Sequence, residues 1–385
     1  MRFYVKLIPQ LIKTNLEYFM SAVIALRSQQ LEAYNQMMAF LSPRLLNKKK
    51  FFVLEGGAGT GKTYLLGRVN DAIGRFGSAF TGPTNKSTKV VSANIGANAT
   101  CKTIYSLLGV KMVAEEDRLI LKFPHRPTDL SGYSRIFIDE ASMINDDMLE
   151  YIVKLSEMFD VQWIFIGDRC QLPPVGQKES GVWALDCDKA NLTEVVRYDN
   201  QILNLATRIR RCVERYPRGR VRFESDHSAG EGVWKYNRGG FMKQIQRFAQ
   251  AGYFTQVDHT KAIAWRNTTV EEMNAFIRFC IFGKEADKNP WIPGDRILIG
   301  EPVHRFGGGA IIANIDDEGT ILEVTESHNS IYKELQCYHV TVQIDGGVAI
   351  NLDIIHPNSA AKFQRMLNRL ADDAKREPSK WKHFW

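Results

Sequence analysis

The segment Gly56-Gly57-Ala58-Gly59-Thr60-Gly61-Lys62-Thr63 constrains this chain more than any other. It fits the pattern G-x-x-x-x-G-K-[S/T], follows an apolar run at residues 51–54, and precedes a helical pattern over 64–76. A strand, a loop and a helix in that order form a phosphate cradle. Glycines let backbone N–H groups curl around a phosphate, and the helix N-terminus adds positive potential. Lys62 is placed to reach the β and γ oxygens of a nucleotide, and the Thr63 hydroxyl to ligate Mg²⁺.

The rest of the chain repeats the same theme. Apolar runs at 51–54, 78–80, 135–138 and 162–166 are continuous rather than alternating, as in strands buried on both faces. Met148, Leu149, Ile152, Val153, Leu155 and Met158 recur at helical spacing between the last two. The expected fold is therefore α/β, a doubly wound parallel sheet of the P-loop NTPase type with its ligand at the carboxyl ends of the strands. A second, weaker α/β signal begins near Lys261. Residues 262–265 read as a strand, and Thr268 with Glu271 as a capping box opening a helix that runs to Phe282. Beyond it the period changes to two, at 296–299, 320–324 and 338–352, with a turn at Asp345-Gly346-Gly347, which predicts a small antiparallel sheet or barrel. The divisions expected are an extension over 1–25, a nucleotide-binding domain over 26–200 with a hairpin at 111–123, a partial second domain over 201–295, and a β-rich insertion with a basic helical tail over 296–385.

Fifty Lys and Arg against 43 Asp and Glu leave a formal charge of +7, a modest bias toward a polyanionic partner. The six cysteines, at 101, 170, 187, 212, 280 and 337, contain no C-x-x-C pair, which argues against a zinc site and a disulfide framework and fits a reducing cytoplasm. The apolar run at 18–26 is too short to span a bilayer, so no membrane segment is expected.

Asp139-Glu140 closes the run at 135–138, and a strand end puts both carboxylates beside the phosphate loop. Asp139 suits Mg²⁺, and Glu140 suits orientation and deprotonation of an attacking water. The string Gly167-Asp168-Arg169-Cys170-Gln171-Leu172-Pro173-Pro174-Val175 follows the fourth run. With Asp139-Glu140-Ala141-Ser142-Met143 and Leu192-Thr193-Glu194-Val195-Val196-Arg197, it resembles the superfamily 1 helicases, in their RecD-like branch and most nearly the phage Dda type. The resemblance runs from about Leu26 to the C-terminus. It implies two RecA-like domains, ATP and Mg²⁺ as cofactors, and ATP-driven 5′ to 3′ movement on single-stranded or forked DNA in the cytoplasm, or the host cytoplasm for a phage protein. Gln171 is implied as a γ-phosphate sensor and Arg197 as an arginine reaching that phosphate, so that Lys62, Glu140, Gln171 and Arg197 form the catalytic set. Gln30, within Leu26-Arg27-Ser28-Gln29-Gln30, is implied to read the adenine edge.

DNA contacts are implied at Pro83, Thr84, Asn85 and Lys86 and at Thr103. Trp265 and Asn267 join them, Trp265 either stacking a base or packing in the core, and Phe123 at the hairpin is either a wedge or core packing beneath it. The family's later motifs V and VI are not found before Trp385. The expectation is thus an incomplete helicase, either half of a split enzyme that a second polypeptide completes or a truncated product. The alternative is a nucleotide-dependent DNA-binding module without motor activity.

Overall fold

The computed structural model describes residues 26–42, 49–74, 76–95, 100–115, 118–195, 201–215, 219–228, 231–257, 259–304, 311–329 and 331–377. The extension over 1–25 and Arg197 lie outside the described residues. The chain divides into two units, 1–235 and 236–385.

The first unit begins with α1 (Ser28–Leu41), followed by β1 (Phe51–Gly56), α2 (Lys62–Ile73), β2 (Ser78–Gly82), α3 (Asn85–Ile95), β3 (Thr100–Thr103) and α4 (Ile104–Leu108). A hairpin of β4 (Lys111–Glu115) and β5 (Arg118–Lys122) comes next, then β6 (Arg135–Ile138), α5 (Asp146–Met158), β7 (Gln162–Gly167) and β8 (Asp188–Leu192). α6 (Gln201–Glu214) and a two-stranded ribbon, β9 (Asp226–Ser228) with β10 (Glu231–Val233), complete the unit. Six strands form one sheet in the order β3-β2-β6-β7-β1-β8, and every pairing in it is parallel. The parallel P-loop sheet expected from the sequence is thus present.

Apolar side chains cover both faces of this sheet, which is why its strands read as unbroken runs. On one face Phe52, Leu54, Phe80, Phe137 and Ile164 meet Met37 of α1 and Leu65, Leu66 and Val69 of α2. Phe80 and Phe137 stack across neighbouring strands with ring centroids 4.6 Å apart. On the other face Val53, Ile136, Ile138, Trp163 and Phe165 meet Ile104 of α4 and Met148, Ile152 and Leu155 of α5. Each such side chain, wholly withdrawn from water, contributes roughly 1.5–3 kcal/mol. The sheet is therefore a stiff platform, and the loops leaving the carboxyl ends of β1, β2, β6 and β7 are held in fixed relation.

The second unit pairs α7 (Arg238–Gln250) with α8 (Asn267–Phe282), which bury Ile245, Ala249, Met273 and Ile277 between them, and adds the short α9 (Glu285–Lys288). β11 (Arg296–Leu298), β12 (Val303–His304), β13 (Ile311–Ala313), β14 (Glu318–His328), β15 (Gln336–Ile344) and β16 (Ala349–Ile355) follow, and α10 (Pro357–Arg376) closes the described chain. Strands β11-β14-β15-β16 form an antiparallel sheet around Ile321, Val340, Val342 and Ile350, in agreement with the period-two pattern.

Two expectations fail in this unit. Residues 262–265 form no strand. They keep the alternation of one, with Ala262 and Ala264 turned to the α7–α8 core and Ile263 and Trp265 87% and 92% exposed, but no ladder partner lies beside them among the described residues. Nor does Thr268 cap the following helix, which starts at Asn267 with Arg266 at its N-cap, so Thr268 falls inside the first turn. Among the described residues no helix is long and apolar enough to cross a membrane.

Candidate nucleotide-binding site

Strand β7 separates β1 from β6 in the sheet, so a cleft opens between the loop after β1 and the acidic pair after β6. It has a volume of about 920 Å³, and its walls include Lys62, Thr63, Lys86, Asp139, Glu140 and Gln171. Ala58, Gly59 and Gly61 also line it.

The loop turns through left-handed conformations at Gly59 (φ 79°) and Gly61 (φ 85°), where L side chains are strained. A Cβ on Gly61 would also lie 2.4 Å from the Gln30 Nε2. Lys62 Nζ donates to the carbonyls of Gly56 at 2.7 Å and Gly57 at 3.1 Å, and the Thr60 hydroxyl donates to the Gly57 carbonyl at 2.9 Å. The ammonium is thus held folded back on its own loop. Burial pushes the Lys62 pKa down, opposed by the carboxylates of Asp168, Asp139 and Glu140.

Asp139 accepts a hydrogen bond from the Glu140 N–H at 2.9 Å, and its own N–H donates to the Thr81 carbonyl at 2.8 Å. Glu140 has a φ of 53°, rare for a residue with a Cβ, which turns the chain sharply into a 3₁₀ turn over Ala141–Met143. Burial raises the pKa of both carboxyls, and for Glu140 the neighbouring Asp139 raises it further. A carboxyl so shifted is a better proton acceptor than an exposed one. Gln171 follows β7, its N–H bonded to the Asp168 carbonyl at 3.0 Å, and its buried Oε1 has no hydrogen-bond partner among the described residues.

Thr63 and Asp139 line the same cleft, and a hydroxyl beside a carboxylate offers the oxygen donors that a hard divalent cation takes. The residues present therefore fit Mg²⁺.

Gln30, implied as the adenine reader, is bonded here to the chain around the phosphate loop. It is 5% exposed, donates to the Thr60 carbonyl at 3.1 Å and accepts from the Arg27 N–H at 3.2 Å. With its carboxamide engaged at both ends, Gln30 props the phosphate loop from behind. Gln29 is also occupied, accepting from the N–H groups of Thr193 and Glu194 at 3.0 and 2.9 Å.

Arg210 belongs to no motif in the sequence, yet it reaches this site. From α6 its Nη1 lies 2.7 Å from Asp168 Oδ1 while its Nε reaches Glu214 at 3.2 Å, and a Cβ on Gly57 would come within 3.0 Å of that same Nη1. One guanidinium therefore ties α6 to the loop after β7 and abuts the phosphate loop. No local pattern pointed toward it, since its partner Asp168 is 42 residues away in sequence.

Among the residues implied for DNA, Pro83 is buried and Lys86 is exposed on the cleft wall. Thr84 and Ser87 exchange hydrogen bonds, Ser87 N to Thr84 Oγ1 at 3.1 Å and Thr84 N to Ser87 Oγ at 3.3 Å, just before and inside the first turn of α3, where Asn85 is the first residue. Thr103 caps α4 by accepting from the Ser106 N–H at 3.2 Å. Both hydroxyls thus have local structural work. Phe123 stands after β5 and packs against Tyr151 at 4.8 Å between ring centroids, at the base of the hairpin and not at its tip. Trp265 projects into solvent beside Asn267. In the second unit a cavity of about 380 Å³ is lined by Lys261, Arg278, Asp295, Arg296 and Glu318. Its charges pair with one another, as in Arg278–Asp295 at 2.8 Å and Arg296–Glu318 at 3.3 Å.

Comparison with known proteins gives relatives that match limited stretches. An uncharacterized protein of Acanthamoeba polyphaga mimivirus is 30% identical over 40% of this chain and 35% of its own length. The human ATP-dependent DNA helicase PIF1 is 28% identical over 40% of this chain and 24% of its own. The chain thus spans about a third or less of these relatives. A solved structure of Pif1 helicases at forked double-stranded DNA covers 85% of this chain and 76% of its own, at 18% identity and a TM-score of 0.43. A Pif1 helicase from Bacteroides with ADP-AlF3 and single-stranded DNA covers 84% and 74%, at 18% identity and 0.41. The model of one family, described as an AAA domain, matches residues 26–246, more than half of the chain and all of the cleft built above, and the chain belongs to that family.

Proposed function

We propose that the chain carries the ATP-hydrolysing machinery of a superfamily 1 DNA helicase of the RecD-like, Dda-type branch, moving 5′ to 3′ on single-stranded DNA. The observation that carries this reading is the convergence of Lys62, Thr63, Asp139, Glu140 and Gln171 on one cleft at the carboxyl ends of β1, β6 and β7. Relatives named as ATP-dependent DNA helicases support the coarser part of this reading, ATP-driven work on DNA.

In this reading the triphosphate takes the place of the loop carbonyls as the partner of Lys62 Nζ, and the loop N–H groups hold the β-phosphate. Thr63 and Asp139 would hold Mg²⁺, which would supply positive charge against the charge that develops on the transferring phosphoryl group. Glu140 takes a proton from water as the water oxygen bonds to the γ-phosphorus. The bond from that phosphorus to the bridging oxygen breaks, and its electron pair leaves with ADP. Gln171 loses its phosphate contact afterwards, which gives the loop after β7 two states that track the nucleotide. Arg197 supplies further positive charge to the γ-phosphate.

Lys86, with the backbone of Pro83, Thr84 and Asn85 and the turn at Thr103, contacts DNA phosphates. Trp265 stacks a base and Asn267 adds a polar contact. Motifs V and VI, supplied with the chain or by a second polypeptide, raise turnover and permit strand displacement on forked DNA. Phosphate release by the chain with and without single-stranded DNA tests the reading. Turnover that rises with DNA and disappears in Glu140→Gln is expected. Nucleotide binding with no hydrolysis under any DNA condition would favour the non-motor module.

A further inference from the structure

One buried polar group on the cleft has no task in the scheme above. Ser142 is 2% exposed, lies two residues after Glu140 and lines the same cleft, yet its hydroxyl has no hydrogen-bond partner among the described residues. An unpartnered buried hydroxyl is destabilising, and alanine would fill the same space without that cost. The turn that carries it is pressed against the end of β7, because a Cβ on Gly167 would lie 3.1 Å from the Ala141 nitrogen and 3.4 Å from that of Ser142. The loop beyond Gly167 bears Gln171, whose Oε1 is the second unpartnered buried atom on this cleft.

The two orphans are complementary in kind. A hydroxyl can donate, and the Gln171 Oε1 can only accept. A water held in a buried site makes two to four hydrogen bonds. Let a water donate one hydrogen to the Glu140 carboxylate and the other to Gln171 Oε1, and accept from the Ser142 hydroxyl. Both orphans are then satisfied, and one lone pair of the water remains for the γ-phosphorus. We infer that Ser142 is a water-positioning residue, its hydroxyl acting with Gln171 to orient the water that Glu140 deprotonates. This inference rests on the ATP-hydrolysis reading. The proton still goes to Glu140, so Ser142 changes alignment and not stoichiometry.

The test uses the full chain and Ser142→Ala, with thermal unfolding, Mg-ADP titration, DNA-stimulated turnover, and trapping of ADP with aluminium fluoride. The expected variant melts at the same temperature as the parent or higher, binds Mg-ADP within twofold, keeps KM for ATP, and loses about 10- to 100-fold in kcat. Fluoroaluminate trapping should weaken in parallel. A kcat within twofold of the parent, or a lower melting temperature with a matching loss of Mg-ADP affinity, overturns the inference in favour of simple packing. If the parent binds Mg-ADP but does not turn over, trapping alone decides, and equal trapping by both proteins rejects the role of Ser142. If the parent binds no Mg-ADP, the hydrolysis reading falls and takes this inference with it.

Discussion

Replacing Arg210 by alanine should destabilise the first unit more than neutralising its partner does. The Asp168 side chain is 6% exposed and that of Arg210 30%, with 2.7 Å between Oδ1 and Nη1. Removing one member of a fully buried pair costs about 3–5 kcal/mol, because the remaining charge stays buried without compensation. Here Asp168 keeps the Cys170 N–H at 3.0 Å, and the pair is open to water on the arginine side, so the cost falls to about 2–3 kcal/mol. In Asp168→Asn the cation left behind still has Glu214 and solvent, and about 1 kcal/mol is expected. Adding Asp168→Asn to Arg210→Ala should return part of the loss, with a coupling of about 1–2 kcal/mol. At about 2–4 °C per kcal/mol for a unit of this size, Arg210→Ala should melt roughly 5–10 °C below the parent. Thermal melts of the four proteins in the cycle measure this directly. An Arg210→Ala protein as stable as Asp168→Asn, or a double variant no better than Arg210→Ala, would show that Asp168 is not left as an uncompensated buried charge.

Gln30→Ala should cost about 1–3 kcal/mol and weaken Mg-ATP binding, because it removes the donor to the Thr60 carbonyl. The ratio of ATP to GTP affinity should not change, whereas a glutamine that reads adenine predicts its collapse in the same titration. Glu140→Gln should raise the melting temperature of the nucleotide-free chain at neutral pH. Burial first, and Asp139 second, hold the Glu140 carboxyl above its ordinary value, so its contribution to stability is full below the unfolded value of about 4.3 and is lost as pH rises through the folded one. The gain from glutamine should accordingly fade toward pH 4 in a series of melts. Trp265→Ala should weaken single-stranded DNA binding by about 1–3 kcal/mol in an anisotropy titration while leaving the melting temperature unmoved, since the side chain is 92% exposed.

The phosphate loop was legible in the sequence because its geometry demands glycines and a lysine at fixed spacing, and the strands because burial on both faces leaves continuous apolar runs. What stayed hidden depends on direction. Nothing local tells whether Gln30 points at a base or at the Thr60 carbonyl, or that the hydroxyls of Thr84 and Thr103 serve helix starts. The Arg210–Asp168 pair joins residues 42 apart in sequence, and no periodicity links them. At 262–265 the alternation was real, but a strand also needs a neighbour to pair with, and a local pattern does not report one. Phe123 could be read as wedge or core, and its packing on Tyr151 became visible only with α5 in place.

The cleft is expected to bind Mg-ATP through Lys62 and to hydrolyse it through Glu140. Calorimetric titration of Mg-ATP into the parent, Lys62→Ala and Glu140→Gln tests it most directly. Binding by the parent, near-normal binding by Glu140→Gln and no detectable binding by Lys62→Ala are the expected results. Unchanged affinity in Lys62→Ala would mean that the phosphates bind elsewhere.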